Sequence, residues 1–408
     1  MSLALIVLVI VLLLIAVRRI GTFRLAIWQI MLGGAVIIVA GGVLSPREAL
    51  HAINRDVMLF LFGVFLIGQA LIDSGYLQRL SYRLFIRATT PDALLALIIF
   101  GSGIGSALLM NDTLAIIGTP LMVLLARQHH LPPHLLLLAL AFSITTGSVM
   151  SPIGNPQNLL IAVTMENPFI AFAQTLALPS LLALGLTWVV LRIAYRHSFN
   201  RELHHHREPV LIDKQLASLG HIALMLLVAA IAVRIIAAYL WPAYEFPLPW
   251  IALIAASPLL LYRQRLRLLR EIDWPTLIFF ASLFIVMAGV WHEGTLQSLM
   301  ADSSGAITSL PAILVTGLGL SQLISNVPLV SLYLPLLQAV SASPEALMAL
   351  AASSTLAGNL LVMGAASNVI VIQNGERLGV HLSYWEFARV GLVLTLLQMV
   401  LFYPFLRG

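Results

Sequence analysis

The sequence predicts an all-α polytopic membrane protein made of two inverted repeats, each with five transmembrane helices and one re-entrant hairpin. Three observations predict this fold. Sixty per cent of the 408 residues are hydrophobic and ten per cent are charged. The basic residues gather in alternate loops, and the same polar motifs recur in the same order in both halves of the chain.

The composition sets the class of protein. A mean hydropathy of +0.99 excludes an ordinary soluble domain. The length leaves room for roughly ten spans of about 20 residues each. Because the chain has no cysteine, it can form no disulfide, thiolate metal site or thiol nucleophile. Residues 3–17 are apolar and are followed, not preceded, by Arg18 and Arg19, so we expect a retained first span rather than a signal peptide.

Twelve apolar segments follow one another along the chain. Two of them, 93–126 and 310–339, are long for one crossing and have polar middles with glycine or proline. We interpret both as hairpins that enter and leave on the same side, with irregular backbone lining a cavity. The remaining ten segments are predicted to cross the membrane: 3–17, 25–44, 57–73, 134–164, 175–194, 218–240, 249–262, 275–291, 346–372 and 387–405.

The charges test this topology, since cytoplasmic loops carry an excess of lysine and arginine. With the N-terminus outside, 17 of the 22 basic residues fall in inner loops. If either hairpin is counted as one full crossing, every later loop changes side, and the basic residues are distributed over both sides of the membrane. The prediction is a multi-pass protein of the cell inner (cytoplasmic) membrane with both termini outside. The excess of basic over acidic residues then reflects the topology in a lipid bilayer, and we predict no nucleic-acid partner.

An internal duplication supports two repeats. Residues 53–80 align without a gap on residues 272–299 at an offset of 219, with identities such as Phe60/Phe279 and Gly75/Gly294. Two further polar motifs align at offsets of 215 and 210. Because five crossings is an odd number, the halves are predicted to be inverted, as in secondary transporters whose broken helices meet at the midplane.

The predicted division is a first repeat over 1–194, a basic cytoplasmic linker over 195–217 and a second repeat over 218–408. The linker holds His204, His205 and His206. A histidine run can bind metal, but these residues have no partner at membrane depth, so we interpret them as a solvated loop and predict no metal site and no cofactor.

Asp112 is the one acid of 17 that lies deep in an apolar segment. An ionised acid at the bilayer centre costs at least about 2.5–3.5 kcal/mol, so such residues are usually functional. The alternative is an acid that only caps a helix. However, the repeat partner of Asp112 is Val327, so the hairpin does not need an acid. We predict that Asp112 is the proton-coupling group.

Polar residues at the hairpin tips and at two breaks form the predicted binding site. Hydroxyls, amides and bare carbonyls suit a small hydroxylated solute or a weakly held Na⁺. The alternative for each serine or threonine is close helix packing. The predicted solute-binding residues are Asn111, Thr113, Asn155, Asn158, Ser325, Asn326, Gly364, Ser367 and Asn368. The predicted helix breaks are Pro120, Pro152, Gly154, Pro156, Pro328, Pro335 and Gly358, because proline removes a backbone hydrogen bond and glycine accommodates a turn.

At these residues the chain resembles the ion transporter superfamily, which includes arsenite permeases and sodium-coupled divalent-anion symporters. The resemblance covers the chain from about Ile53 to its end. In the first hairpin, Asn111-Asp112 followed by Thr119-Pro120 is similar to the arsenite permeases. Ser325-Asn326-Val327 keeps the Ser-Asn of the anion symporters without their threonine, and Gly358-Asn359 stands where arsenite permeases have Gly-Pro.

The resemblance implies export of arsenite or antimonite driven by the proton-motive force, by alternating access. Arsenous acid is small and neutral near pH 7, so amide and hydroxyl ligands suit it. The alternatives are sodium-coupled uptake of a dicarboxylate or inorganic oxyanion, with Na⁺ as coupling ion, and a Na⁺/H⁺ antiporter. The resemblance leaves open a homodimer and a cytoplasmic ATPase partner.

Outside the transporters, we considered an intramembrane enzyme and a channel. The sequence has no HExxH motif, no GxSxG motif and only one deep acid, so neither zinc-dependent nor aspartyl proteolysis is supported. A channel needs a continuous pore, whereas duplicated hairpins predict alternating access.

Overall fold

The fold is helical, as predicted. The computed structural model describes residues 2–17, 19–20, 23–24, 26–85, 88–199, 212–240, 247–294 and 308–407. The one departure from an all-α chain is a small antiparallel pair, β1 (Arg19–Ile20) and β2 (Phe23–Arg24). His204, His205 and His206 lie outside the described residues.

The described residues of the first half form eleven α-helices. A π-helical turn at Ala173–Ala177 joins α10 to α11, and a 3₁₀ turn at Arg196–Ser198 follows α11. The helices are α1 Leu3–Val17, α2 Ile27–Ala40, α3 Pro46–Ala52, α4 Arg55–Asp73, α5 Tyr76–Phe85, α6 Pro91–Leu108, α7 Asn111–Gln128, α8 Pro133–Ser148, α9 Pro156–Ala162, α10 Pro168–Phe172 and α11 Leu178–Ala194.

The described residues of the second half form nine α-helices. Two 3₁₀ turns, Ser257–Leu261 and Val362–Gly364, follow α13 and α18. The helices are α12 Lys214–Leu240, α13 Leu248–Ala256, α14 Arg265–Glu271, α15 Trp274–His292, α16 Leu310–Ile324, α17 Asn326–Ala339, α18 Pro344–Leu360, α19 Ala366–Arg377 and α20 Tyr384–Leu406.

In the part of the chain that the structure describes, six helical segments are long and apolar enough to cross a membrane: Arg55–Asp73, Pro91–Leu108, Pro168–Ala194, Lys214–Ala237, Trp274–His292 and Tyr384–Leu406. Six shorter apolar helices accompany them. The number of crossings and the inverted relation of the halves stay predictions. The helix α12 begins at Lys214, before the predicted start of the second repeat at 218, because the side chain of Asp213 caps the helix by accepting a hydrogen bond from Leu216 N at 2.9 Å. The division of the chain into two repeats and a linker also stays a prediction.

The helices α4 and α15 have matching ends. Both contain 19 residues, and their bounds differ by the predicted offset of 219. Asn54 and Asp273 cap them, each accepting a backbone N–H three residues later at 3.1 Å. After each of the two helices the backbone turns at a glycine in the left-handed region, Gly75 with φ 73° and Gly294 with φ 69°. The sequence alignment of these segments therefore corresponds to a structural equivalence.

The hydrophobic interior divides into two cores. The first contains apolar side chains from α1, α2, α4, α13 and α15, such as Phe60 and Phe280. The second gathers α6, α7, α8 and α11 with α19 and α20, and the rings of Phe142 and Phe387 lie 4.9 Å apart there. Because α19 and α20 come from the second half, the two halves interlock and are not separate globular units.

Candidate functional site

Each predicted hairpin is a pair of helices joined by a very short turn. The first pair is α6 and α7, joined by Leu109 and Met110. The second is α16 and α17, joined by Ser325, whose φ of 71° and ψ of 162° lie in a region that a residue with a side chain rarely adopts. The two tips thus differ in backbone conformation, although they align in the sequence.

Two helices are interrupted where the sequence predicts breaks. The chain leaves α8 after Ser148, turns through Pro152 and Gly154, and enters α9 at Pro156. In the second half, α18 ends at Leu360, and the 3₁₀ turn over Val362–Gly364 leads to α19.

Four residues predicted as helix breaks lie elsewhere, and this is a correction. Pro120 and Pro335 lie inside the continuous helices α7 and α17. Pro328 lies in the first turn of α17, and Gly358 lies two residues before the end of α18. A proline within a membrane helix removes only one backbone hydrogen bond, and neighbouring groups can compensate for that loss.

The tip of the first hairpin contacts both breaks. The backbone N–H of Asn111 donates to the carbonyl oxygen of Gly154 at 2.9 Å. The side-chain amide of Asn111 donates to the Ser367 hydroxyl at 3.4 Å. The structure therefore brings together three of the sequence-predicted regions: tip, first break and second break.

Asp112 lies in the first turn of α7, directly beside this contact. Its side chain is half-buried, and its carboxyl group has no hydrogen-bond or ion-pair partner among the described residues. The helix dipole favours negative charge at such a position. No structural contact therefore accounts for the acid.

Asn155 and Asn158 have a different environment, because protein groups already satisfy their amides. Asn155 Oδ1 accepts from Asn158 N at 2.8 Å, and Asn155 Nδ2 donates to the Ser148 hydroxyl at 3.0 Å. Asn158 Nδ2 donates to the carbonyl oxygens of Ser148 and Ser151, both at 3.0 Å. Both side chains are fully buried. The side-chain amides of Asn155 and Asn158 therefore stabilise the backbone conformation of the first break.

Thr355 on α18 joins that break to the second half. Its hydroxyl accepts from Asn155 Nδ2 at 3.3 Å and from Gln157 Nε2 at 3.2 Å, and donates to Asn158 Oδ1 at 3.2 Å. One buried hydroxyl thus connects three amides from the other repeat.

Among the predicted solute-binding residues, three buried amide oxygens have no partner in the described part of the protein. They belong to Asn111, Asn326 and Asn368. Asn368 uses its Nδ2 to hold the carbonyl oxygen of Gly358, near the end of α18. Most buried acceptors in proteins have a hydrogen-bond partner, so an acceptor without one can accept a hydrogen bond from a solute. These oxygens are the available ligands of the site.

The remaining predicted residues have positioning contacts. Thr113 packs against α4, where a Cβ at Gly68 would lie 3.1 Å from the Thr113 hydroxyl. Gly364 leaves no room for a side chain, since its Cβ would lie 2.6 Å from the carbonyl oxygen of Ala357. That oxygen also accepts from Gln322 Nε2 at 2.7 Å, which joins α16 to the end of α18.

A second buried polar network was missed by the sequence reasoning. Gln398 on α20 accepts from Asn359 at 2.9 Å and donates to Thr146 at 2.9 Å and Thr187 at 3.3 Å. All four side chains are fully buried. Single polar residues within the apolar segments 175–194 and 387–405 were the available signal. In the described residues, no group of three or more histidine, aspartate or glutamate side chains is placed to hold a metal ion.

Comparison with known proteins defines the family. The model of a family described as citrate transporter, CitMHS, matches residues 6–346. The chain belongs to the CitMHS citrate transporter family. It is therefore a membrane transporter, as the sequence predicts, whereas the arsenite-permease branch is not established by this match.

Relatives of this CitMHS protein are also transporters. An uncharacterised transporter of Mycobacterium tuberculosis is 26% identical over 416 residues, covering 94% of each chain. The silicon efflux transporter LSI3 of Oryza sativa subsp. japonica is 26% identical over 453 residues, covering 91% of this chain and 90% of the relative. The crystal structure of the Alcanivorax borkumensis YdaH transporter, described as having an unusual topology, shares the fold with a TM-score of 0.59 at 16% identity, covering 99% of this chain and 95% of that one.

Proposed function

We propose that this CitMHS protein exports a small, neutral, hydroxylated acid of the arsenous or antimonous acid type in exchange for protons, by alternating access. The observation that carries the proposal is that Asp112 and Asn111, adjacent in the first turn of α7, have a carboxyl group and an amide oxygen without a partner among the described residues. An acid whose hydration changes between the two access states can bind and release a proton in each cycle.

The ligands at the site fit a neutral solute. Amide oxygens accept hydrogen bonds from hydroxyl groups, and three such oxygens are available. The ion pairs among the described residues involve Asp92, Glu271 and Glu386, so no arginine or lysine neutralises Asp112. An ionised Asp112 would repel an anionic substrate. The rice relative is a silicon efflux transporter, and silicic acid is likewise small, hydroxylated and neutral near pH 7.

The second candidate is sodium-coupled uptake of a dicarboxylate or inorganic oxyanion. The family description favours it, since citrate is a carboxylate. Four helices also begin at the tips and breaks, namely α7, α9, α17 and α19, and helix N-termini bind anions without basic side chains. In this alternative Asp112 would have no role in coupling to protons.

Arsenite accumulation in inside-out vesicles under an imposed pH gradient tests the proposal. We expect accumulation by the wild type and its loss in Asp112→Asn, which keeps the shape of the side chain. The matched control is Asp92→Asn, because Asp92 pairs with Arg192 at 2.6 Å away from the site. Sodium-dependent flux of succinate or sulfate that survives Asp112→Asn, without arsenite transport, would establish the second candidate instead.

A further inference from the structure

Helix α5 has two chemically different faces. Leu77 and Leu80, three residues apart, lie on one side of the helix, and Arg83, three residues after Leu80 and four after Arg79, lies on the adjoining side. Leu77 is buried, whereas Leu80 and Arg83 are exposed. Such a helix is typical of segments that lie at the membrane surface with basic side chains at headgroup level. It lies between α4 and α6 in the chain, and Arg79 and Arg83 belong to it.

An apolar crevice of about 320 Å³ opens beside this helix. Its walls come from α5, from Leu224 of α12 and from the hairpin helices α6 and α7. Gly101 and Gly105 widen it, since neither contributes a side chain. Of the fifteen described residues that line it, Ser102 alone has a polar side chain. The volume lies at the lower end of that of small-molecule sites, about 300–1,000 Å³.

The crevice opens to the surroundings of the protein. Leu80 is 44% exposed and Ile104 is 49% exposed, and both line it. Water gains little in an apolar space that offers no hydrogen-bond partners. In a bilayer the molecules next to such an opening are lipids, and an acyl chain is apolar like the residues that line the crevice.

We propose that the crevice binds an acyl chain of an anionic phospholipid whose phosphate is held by Arg83. Arg83 follows Leu80 by three residues, so a headgroup at the arginine and a chain in the crevice lie one helical turn apart. Arginine binds phosphate through two parallel N–H donors. Arg83 forms no ion pair with an acid in the described part of the chain, so its charge is available to a lipid. Neither Asn111 nor Asp112 lines the crevice, so the lipid proposal does not depend on which solute is transported.

Native mass spectrometry of the full-length protein, titrated with phosphatidylglycerol or phosphatidylcholine, tests the proposal. We expect several-fold more retained phosphatidylglycerol than phosphatidylcholine. Arg83→Gln should abolish this difference, whereas the control Arg196→Gln should keep it, because Arg196 is exposed at the end of α11 away from the crevice. Ile104→Trp should reduce binding of both lipids by filling the crevice.

A matched control distinguishes filling of the crevice from a general effect of tryptophan on the structure of the hairpin. Ile116 lies on the same hairpin, is 40% exposed and does not line the crevice, so Ile116→Trp should bind like the wild type. If Ile104→Trp fails to fold, Leu80→Trp fills the crevice from the exposed face of α5. Equal binding of the two lipids, a preference that persists in Arg83→Gln, or unchanged binding in the filled variant would each overturn the proposal.

Discussion

The hydroxyl of Thr355 lies 3.2 Å from the side-chain oxygen of Asn158, across 197 residues of sequence. It also accepts hydrogen bonds from Asn155 and Gln157. We predict that Thr355→Val, which keeps the shape, destabilises the protein by about 2 kcal/mol or more, because a buried donor without a partner costs about 1–3 kcal/mol. The melting temperature of the purified protein in detergent measures this loss.

The control for that substitution is Thr119→Val. Thr119 is also fully buried, but its hydroxyl donates only to the carbonyl oxygen of Ala115 in its own helix, at 2.6 Å. Its melting temperature should stay near that of the wild type. Equal losses in both variants would show that Thr355 contributes no more than an ordinary buried hydroxyl.

A second prediction separates solute binding from stability at two asparagines. Asn326→Ala removes an oxygen that has no protein partner, so the melting temperature should change little while the KM for the transported solute rises about tenfold or more, the loss of about one hydrogen bond to a ligand. Asn158→Ala removes donors from the carbonyl oxygens of Ser148 and Ser151 and should lower the melting temperature clearly. Paired transport and melting measurements on both variants test this; a stable Asn158→Ala protein that has lost affinity would contradict it.

A third prediction concerns the contact between α6 and α8. A Cβ at Gly147 would lie 2.0 Å from the carbonyl oxygen of Gly103, so Gly147→Ala forces two helix backbones apart. We expect little folded protein in the membrane fraction. Gly185→Ala on α11 is the matched control, since no atom lies within 4 Å of its Cβ. Alanine is the better helix former by about 1 kcal/mol, so the control should be as stable as the wild type or more stable. Normal yield of Gly147→Ala would refute the close contact.

A fourth prediction uses the charge of Asp213. The hydrogen bond from Leu216 N, with that from the Tyr262 hydroxyl at 2.7 Å, lowers the pKa of Asp213 below its ordinary value, and the same bond raises the pKa of Tyr262 to about 12. A lowered folded-state pKa stabilises the protein above the unfolded pKa, and this stabilisation is lost as the pH falls through the folded pKa. Asp213→Ala should therefore cost about 1 kcal/mol at pH 7, the usual value of a helix cap, and less below about pH 4.

Melting curves between pH 3 and pH 8 check this dependence. Asp213→Ser serves as the control, because serine caps a helix without carrying a charge. The difference between Asp213→Ser and Asp213→Ala should stay constant with pH. A constant difference between the wild type and Asp213→Ala as well would exclude the charge as the source of the stabilisation.

The sequence predicts the large features of this fold because they depend on patterns that repeat. The offset of 219 residues is reproduced by both ends of α4 and α15, and Gly75 and Gly294 have the same turn conformation. The short helices α3, α5 and α14 were not predicted, since their polar residues interrupt the apolar runs by which spans are found. Pro120 and Pro335 were assigned to breaks because a local signal cannot show how neighbouring helices compensate for one lost hydrogen bond.

The site was predictable in composition but not in detail. Amides at a break indicate a binding site, and Asn111 and Asn368 fit that expectation with unpartnered oxygens. That Asn155 and Asn158 are saturated depends on Thr355, whose approach is a property of the tertiary structure. Gln398 and Thr187 lie in long apolar spans where periodicity does not show which face a polar residue occupies.

The interlocked cores also determine the order of assembly during translation. When the ribosome has completed α11, the partners that cover α7 and α8 have not been synthesised, because they belong to α18, α19 and α20. The side chains of Asn155 and Asn158 therefore cannot form their hydrogen bonds with Thr355 until α18 has been synthesised, when most of the chain is already in the membrane. Membrane proteases that degrade incompletely folded proteins would act in this interval, and a chain truncated before Pro344 would remain in it.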